Sequence, residues 1–411
     1  SDWSSDCALP ISLGVALQND SIINVAINDP ECGYHAQMER YVMNDGWWGE
    51  GSPTYHYYPL RAMLLSADAV RCRNINLYDR KLYKMLVAPA SGVYADLYFP
   101  AHNDGWYGES LIAQVSLYEI ACQRYNNDPF FLSVLQQCYR YTDRNFGEAL
   151  QNNIEIPQVT SMETWPSVHF KETGYTVLRS GTKTVVMKYG PHGGGHGHPD
   201  KLSISIHDGE KEIVSDMGTC AYGVPAFTKW YRKTLSHSTL TVDAKDQKES
   251  TGKLLAFKAY KDGGEVSAEA PDVYSGVTME RKLILKKNKL TDILTARSDE
   301  QHLYDYVLIL TEKPVFSQTG EVIILNDSPS YNYIKNAIVR KQSSPLSCKI
   351  GKAYMKIEVS EGQEFEVITG EAPGIPPGNG SVLSKYDSPF CYPLIVRVKD
   401  KKLRIKTEWK F

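Results

Sequence analysis

Near residues 150–170 the spacing of apolar residues changes period, and that change limits the folds open to this chain of 411 residues. Before it, apolar positions recur at helical intervals: Leu111, Val115, Tyr118 and Cys122 fall at i, i+4, i+7 and i+11, one face of an amphipathic helix. Segments 11–18, 58–71 and 130–143 read the same way. After about residue 172 the pattern becomes short β-rich runs between Gly, Asn and Asp, at 183–189, 202–206, 238–243, 282–286, 304–310 and 321–325. Helices followed by strands predict two consecutive domains, helical over 1–160 and antiparallel β over 161–411. An alternating α/β sheet, and with it a Rossmann or TIM-barrel fold, is excluded. The Gly/Pro-rich stretch 373–381 reads as a loop within the β half.

Composition narrows the function classes. Lys and Arg number 45 against 48 Asp and Glu, a net charge of −3, and 42% of residues are apolar, a globular composition and not a disordered one. Without a strongly basic domain, a dedicated nucleic-acid binder is not expected. No apolar run approaches the roughly 20 residues of a membrane span. The 27 Tyr and 7 Trp supply flat faces with polar edges on which sugar rings can stack. Eight scattered cysteines without a CxxC pair argue against a zinc ribbon or a thioredoxin motif; their spacing does not look like a disulfide framework, and a few are expected to be plain buried thiols. The opening Ser1-Asp2-Trp3-Ser4-Ser5-Asp6 has neither initiator Met nor apolar leader, the look of a processed or trimmed start.

The helical half contains an echo. Asn44-Asp45-Gly46-Trp47-Trp48-Gly49-Glu50 returns as Asn103-Asp104-Gly105-Trp106-Tyr107-Gly108-Glu109, an offset of 103 − 44 = 59 residues. A fixed period marks stacked supersecondary units, and helical hairpins in a ring would carry both aromatic loops on one rim. Equally, Asn-Asp-Gly is a good loop signal by itself.

The densest chemistry is Pro191-His192-Gly193-Gly194-Gly195-His196-Gly197-His198-Pro199-Asp200, directly after the predicted strand 183–189. Three imidazoles among four glycines are not a core composition. The glycines allow close backbone approach to a ligand, and His196 and His198, two apart, would point the same way on an extended segment. No GxxxxGK[ST] follows, so a phosphate-cradling loop is not expected. Asp216 and His237, at strand edges, add a carboxylate and an imidazole, a donor set suited to a zinc-type ion with one open position.

The run GPHGGGHGHPDKLSI, then Asp216-Met217-Gly218-Thr219, then WYRKTLSHSTLTVD closely resembles the heparinase II/III-like polysaccharide lyases. Upstream, Asp45-Gly46 through Glu50, Ser52-Pro53-Thr54-Tyr55-His56 resembles that family's helical-domain element, so the likeness spans about residues 1–250. It implies an incomplete (α/α) toroid of helical hairpins followed by a large antiparallel, sandwich-like β domain. It also implies a lyase acting by β-elimination on an acidic, uronate-containing glycan of the heparan-sulfate, other glycosaminoglycan or alginate type. Carried over residue by residue, His198, Asp216 and His237 are metal positions for one divalent ion, zinc or similar, as structural support. His196 falls beside the reacting sugar, and Tyr55 is the general acid or base, with His56 and Tyr57 as near rivals. Tyr222 is a second proton-transfer candidate, and Tyr231 a third for which packing is the stronger reading. Glu50, His56, Trp48, Trp106, Tyr107 and Arg232 are expected to line the substrate cleft, with Lys229 and Lys233 beside Arg232 as a steering patch or a solvated face. The resemblance implies a bacterial periplasmic or secreted protein. The family's carboxylate-neutralising Asn or His would fall around residues 3–7, where the sequence reads Trp-Ser-Ser-Asp-Cys.

β-Elimination explains these residue types: the C5 proton must be removed, the departing C4 oxygen protonated, and the uronate charge offset. Two rivals remain open. One is a hydrolase using Glu50 and Glu109 as a carboxylate pair, or the metal to activate water. The other is a glycan-binding relative without catalysis.

Overall fold

The computed structural model describes residues 5–144, 155–156, 165–375 and 389–411. Residues 1–4, where Trp3 of the expected carboxylate-neutralising position falls, lie outside the described residues, as does most of 373–381. The chain divides into two units. The first comprises 1–93, 97–99 and 109–163; the second comprises 94–96, 100–108 and 164–411. The first copy of the Asn-Asp-Gly echo therefore belongs to the helical unit, as does Glu109 of the second, while residues 103–108 of the second belong to the β unit.

The helical unit holds α1 (Ser5–Ala16), α2 (Asp20–Asn28), α3 (Tyr34–Tyr41), α4 (Pro53–Ala69), α5 (Arg80–Ala90), α6 (Val115–Arg124) and α7 (Pro129–Cys138). Its boundaries follow local chemistry. Asn19 caps α2 by accepting from the Ser21 and Ile22 amides, and Asp79 caps α5 through Lys81 and Leu82. Pro53 and Pro129 open α4 and α7, where a missing N–H costs nothing. The predicted face at 111–122 is buried at Leu111, Tyr118 and Cys122, with a 3-10 turn over Ile112–Gln114 before α6. Of the seven cysteines whose side chains are described, none is in a disulfide and five are buried.

The second unit is one antiparallel network. Its strands are β1 (Val168–Phe170), β2 (Tyr175–Ser180), β3 (Lys183–Lys188), β4 (Ser203–His207), β5 (Glu212–Val214), β6 (Leu240–Val242), β7 (Lys253–Tyr260), β8 (Gly263–Tyr274) and β9 (Val277–Lys286). They continue as β10 (Lys289–Leu310), β11 (Val315–Phe316), β12 (Glu321–Ile323), β13 (Lys335–Gln342), β14 (Leu346–Ile350), β15 (Ala353–Val359), β16 (Phe365–Pro373) and β17 (Phe390–Lys410). The spine is β10 against β17, paired from Lys289↔Lys410 to Leu310↔Tyr392 with a register shift between Arg297 and His302. The apolar run at 304–310 is explained by burial on both faces. Tyr304, Tyr306, Leu308 and Leu310 join one core, while Val307 and Ile309 join a second with Met217, Trp230 and Tyr231. Within the first core, Arg281 of β9 is wholly buried and pairs with Asp292 of β10 through Nε at 2.9 Å and Nη2 at 2.7 Å.

Candidate active site

The Gly/His loop leaves β3 and returns as β4, and it is not extended: residues 194–196 form a 3-10 turn. The imidazoles of His196 and His198 nevertheless converge, because one carboxylate lies between them. Asp104 Oδ2 accepts from His196 Nδ1 at 2.9 Å, and Oδ1 accepts from His198 Nε2 at 2.9 Å. The Asp104 amide also donates to the His196 carbonyl at 3.1 Å, clamping the two loops by backbone as well. Burial would push the Asp104 carboxyl up, but the hydrogen bonds from His198 and His196 outweigh it and hold the group below the usual range. An ionised carboxylate only accepts, so both histidines carry their proton on the nitrogen facing Asp104. That leaves Nδ1 of His198 as a buried lone pair without a hydrogen-bond partner, and makes Nε2 the acceptor nitrogen of His196.

Tyr222 completes the rim. Its hydroxyl lies 3.3 Å from both Asp104 Oδ2 and His196 Nδ1, its ring stacks over His196, and the residue is 54% exposed. The His196 side chain is 27% exposed, so a ligand can reach both groups. Arg232 donates to the Gly197 carbonyl at 2.8 Å and lies over the Phe227 ring, which fixes the far end of the loop.

Beneath the rim is a buried ionic floor. Ligand atoms of Asp200, Asp216 and His237 lie within 4.8 Å of one another. The His198 ring stands 5.2 Å from that of His237. His237 Nδ1 donates to Asp216 Oδ2 at 3.2 Å. This leaves His237 Nε2 and His198 Nδ1 buried without a hydrogen-bond partner, and Asp200 Oδ1 in the same position. Two orphaned imidazole nitrogens, each on a ring whose other N–H is held by a carboxylate, fit a divalent cation. The sequence-derived set His198, Asp216, His237 and the geometric set share two members, with Asp200 added. Lys188 reaches Asp200 Oδ2 at 2.6 Å and also donates to Asn103 Oδ1, while Lys201 stands 3.6 Å from Asp200 Oδ1. Burial favours a neutral Asp200, but the two ammoniums outweigh it and keep the carboxyl strongly depressed. Burial pushes His198 down to about 4 and Lys201 down to about 8. For His237 burial is outweighed by the Asp216 carboxylate, and its value is raised.

The floor is held from behind. Arg281 Nη1 donates to the carbonyls of Leu202 at 2.8 Å and Ser238 at 2.6 Å, tying the strands that follow Asp200 and His237. Gln247 receives the Lys201 amide at 2.6 Å and donates back to its carbonyl at 3.2 Å. Gly218, at φ +64°, lets the loop carrying Asp104 settle against the strand end carrying Asp216. A Cβ there would stand 2.1 Å from the Gly105 carbonyl oxygen.

Several expected cleft residues have other duties. His56 is fully buried, with Nε2 against the Met85 carbonyl at 2.8 Å and Nδ1 receiving the Trp48 amide, so it lines no cleft and is no proton-transfer rival. Burial pushes it down to about 4. Tyr57 is buried against the Tyr118 hydroxyl at 2.8 Å and its phenol is raised by burial, which removes the other rival. Tyr107 is buried on Glu212 and Trp48 is buried with Nε1 on Glu50 at 3.1 Å, so neither offers a stacking face. Tyr231 donates to the Gly374 carbonyl at 2.9 Å and packs, as the stronger of its two readings had it. Trp106 is 37% exposed. Tyr55 sits half-buried in the first turn of α4, in the helical unit. Asp104, Lys188 and Asp200 were not singled out by sequence. For Asp104 the echo was the signal at hand; for Asp200, its place in the Gly/His run.

Comparison with known proteins gives this arrangement a context. Residues 162–307 match the family model "Heparinase II/III-like, C-terminal". The chain is 25% identical over 341 residues to an alginate lyase of Stenotrophomonas maltophilia (strain K279a), covering 72% of this chain and 45% of that protein. A heparin-sulfate lyase of Pedobacter heparinus is 23% identical over 244 residues, covering 55% of this chain and 34% of the relative. Among solved structures, the heparan sulfate lyase HepC from Pedobacter heparinus superimposes with a TM-score of 0.72 at 16% identity, covering 98% of this chain and 59% of that one. A heparinase III gives 0.68 at 16% identity, covering 98% and 60%. The chain therefore has the fold of these structures, helices first and a large antiparallel β-sheet domain after. It spans less than half the length of the curated relatives it matches.

Proposed function

We propose that this chain is the catalytic part of a polysaccharide lyase that cleaves an acidic, uronate-containing glycan by β-elimination, leaving a 4,5-unsaturated uronate. The observation that carries the reading is the convergence of Asp104, His196 and an exposed Tyr222 on a rim above a buried, cation-competent floor. His196, with Nδ1–H held by Asp104, presents Nε2 to the substrate. In the elimination the C5 proton passes to a base, the C5–H electron pair becomes the C4=C5 bond, and the C4–O bond breaks with its electrons on oxygen, which takes up a proton. His196 is the base-side group in this reading. Tyr222, on geometry, and Tyr55, on the family resemblance, are the two candidates for protonating O4. His198 Nδ1, His237 Nε2, Asp200 and Asp216 would hold one divalent ion, zinc in this proposal, which supplies a fixed positive charge to the floor.

The test is ultraviolet absorbance of the unsaturated uronate during incubation with heparan sulfate, chondroitin, hyaluronan and alginate. Absorbance should rise on at least one; new reducing ends without absorbance would replace the lyase by a hydrolase, and silence in both would leave a binder. Tyr55→Phe and Tyr222→Phe should then separate, the true O4 donor losing turnover while retaining binding. Because the raised His237 holds a proton that a bound ion must displace, zinc affinity should increase as pH rises through that group's range. Calorimetry in buffers of different ionisation enthalpy would detect the proton released. We also place the protein outside the cytoplasm, periplasmic or secreted, where such polymers occur; cell fractionation tests this.

The hydrolase reading would take Glu109 as its acid. Burial raises the Glu109 carboxyl to about 7, a value a general acid needs, against a partial opposing effect of the Thr54 hydrogen bond. The folded chain then keeps a proton that the unfolded chain releases above about pH 4.5, so stability falls as pH rises from there toward 7. Glu109→Gln should remove that loss, gaining about 1–3 kcal/mol over the parent at pH 8 and little at pH 4.5, as read by thermal unfolding. Under the lyase reading its turnover stays within a few-fold of the parent.

A further inference from the structure

At the end of the β unit marked by the β9–β10 turn, the strand registers place one transverse row across the solvent face of the sheet. Lys349 of β14 is opposite Tyr354 of β15, Tyr354 is opposite Lys410 of β17, Lys410 is opposite Lys289 of β10, and Lys289 is opposite Lys286 of β9. The row continues through Gly263 of β8 to Tyr260 of β7. Directly paired residues point to the same face, and at about 4.8 Å per strand the row is roughly 29 Å long. All four lysines are exposed and Tyr354 is 57% exposed. The rings are already used as cation platforms: Lys286 lies 5.9 Å from the Tyr260 centroid and Lys349 5.9 Å from that of Tyr354.

Like charges directly opposite one another destabilise a sheet, and these strands have neighbours on both sides, so edge protection does not account for them. Acids do occur one row further in: Glu408 is engaged by Lys406 at 2.7 Å, and Glu265 lies 4.0 Å from Lys282 and interacts with the Tyr260 hydroxyl at the edge of that ring. Lys286, Lys289, Lys349 and Lys410 have no ion pair among the described residues. We propose that this row is a second glycan site, a track for a linear polyanion whose carboxylate or sulfate groups meet the ammoniums while sugar faces stack on Tyr260 and Tyr354. The choice of an acidic polysaccharide rests on the proposed function. The track is separate from the rim: along β10, Lys289 lies 306 − 289 = 17 residues from Tyr306, where β6 pairs just after His237, roughly 55 Å of strand. Only a long polymer can engage both, and doing so raises its effective concentration at the rim.

The test compares the full chain with the triple variant Lys286→Gln, Lys289→Gln, Lys410→Gln, both also carrying His196→Ala to prevent cleavage. Binding of full-length alginate and heparan sulfate, with dextran as the uncharged control, is measured between about 50 and 200 mM salt. The triple variant is expected to bind the charged polymers at least about tenfold more weakly at low salt, with a shallower salt dependence. Dextran binding should be unchanged, and the melting temperature should hold or rise, since repulsion is relieved. With His196 restored, turnover of a tetrasaccharide should match the parent while KM for polymer increases. Polymer binding within twofold of the parent, or no polymer binding by either protein, overturns the track. Loss of polymer binding in the triple variant without any unsaturated product from the parent would keep the track and reject the lyase.

Discussion

Replacing His196 with alanine is expected to lower turnover by about 10²–10⁴-fold, the range that a positioned proton-transfer group supplies. The argument depends on how the imidazole is held. Its Nδ1–H is fixed on an ionised Asp104, so Nε2 is presented as acceptor without any reorganisation at the moment of reaction. The side chain is partly exposed and belongs to neither core, so the variant should melt close to the parent. Substrate affinity, measured as polymer binding without turnover, should change by only a few-fold. Asp104→Asn is the informative companion. It puts an N–H where two imidazoles donate, forcing one of them to change tautomer, so its loss should approach that of His196→Ala. The double variant should lose little more than either single one, because the residues act as a unit. A His196→Ala protein with near-parental turnover would remove His196 from the chemistry and shift the reading to the Tyr55 side of the proposal.

The second large effect is on stability. Arg281→Met should destabilise the chain by about 3–5 kcal/mol, because it leaves Asp292 charged and wholly buried with its ion partner gone. The Tyr306 hydroxyl, 2.6 Å from Asp292 Oδ2, compensates only part of this. Two backbone carbonyls, those of Leu202 and Ser238, lose their donor at the same time. Adding Asp292→Leu should recover much of the loss, since an apolar pair of similar volume avoids the uncompensated charge. Thermal unfolding of the two variants provides the check; a single variant that melts within a degree or two of the parent would show that the pair is not needed. Zinc affinity should also fall in the single variant, because Leu202 and Ser238 directly follow the segments that carry Asp200 and His237.

The sequence made the helix-to-strand change and the Gly/His loop legible, since both are local: a period, and a composition no core selects. Asp104 was not legible as a site residue. It stands 92 positions from His196, in a stretch that reads as a turn, and only the folding of residues 100–108 onto the β unit brings it between the imidazoles. His56, Tyr57 and Tyr107 failed in the opposite direction. An aromatic or imidazole beside a motif looks the same whether it faces solvent or the interior, and packing decides which. Within β10 the sequence shows only the run 304–310, because Ala296 to His302 is mostly polar, and there the ladder with β17 shifts register instead of ending.

That spine has a consequence for how the chain reaches its native state. Partners on β10 and β17 are 396 − 306 = 90 residues apart at Tyr306↔Val396 and 410 − 289 = 121 apart at Lys289↔Lys410. Loop closure over such separations must be met before any of those pairings stabilises the chain, which places the β unit among slow, high-contact-order folders. On the ribosome, the whole of β10 emerges some eighty residues before β17 begins, with one edge of a 22-residue strand waiting for its partner. During that interval the unpaired edge is a template on which another chain can pair, so delay in completing β17 prolongs exposure to aggregation.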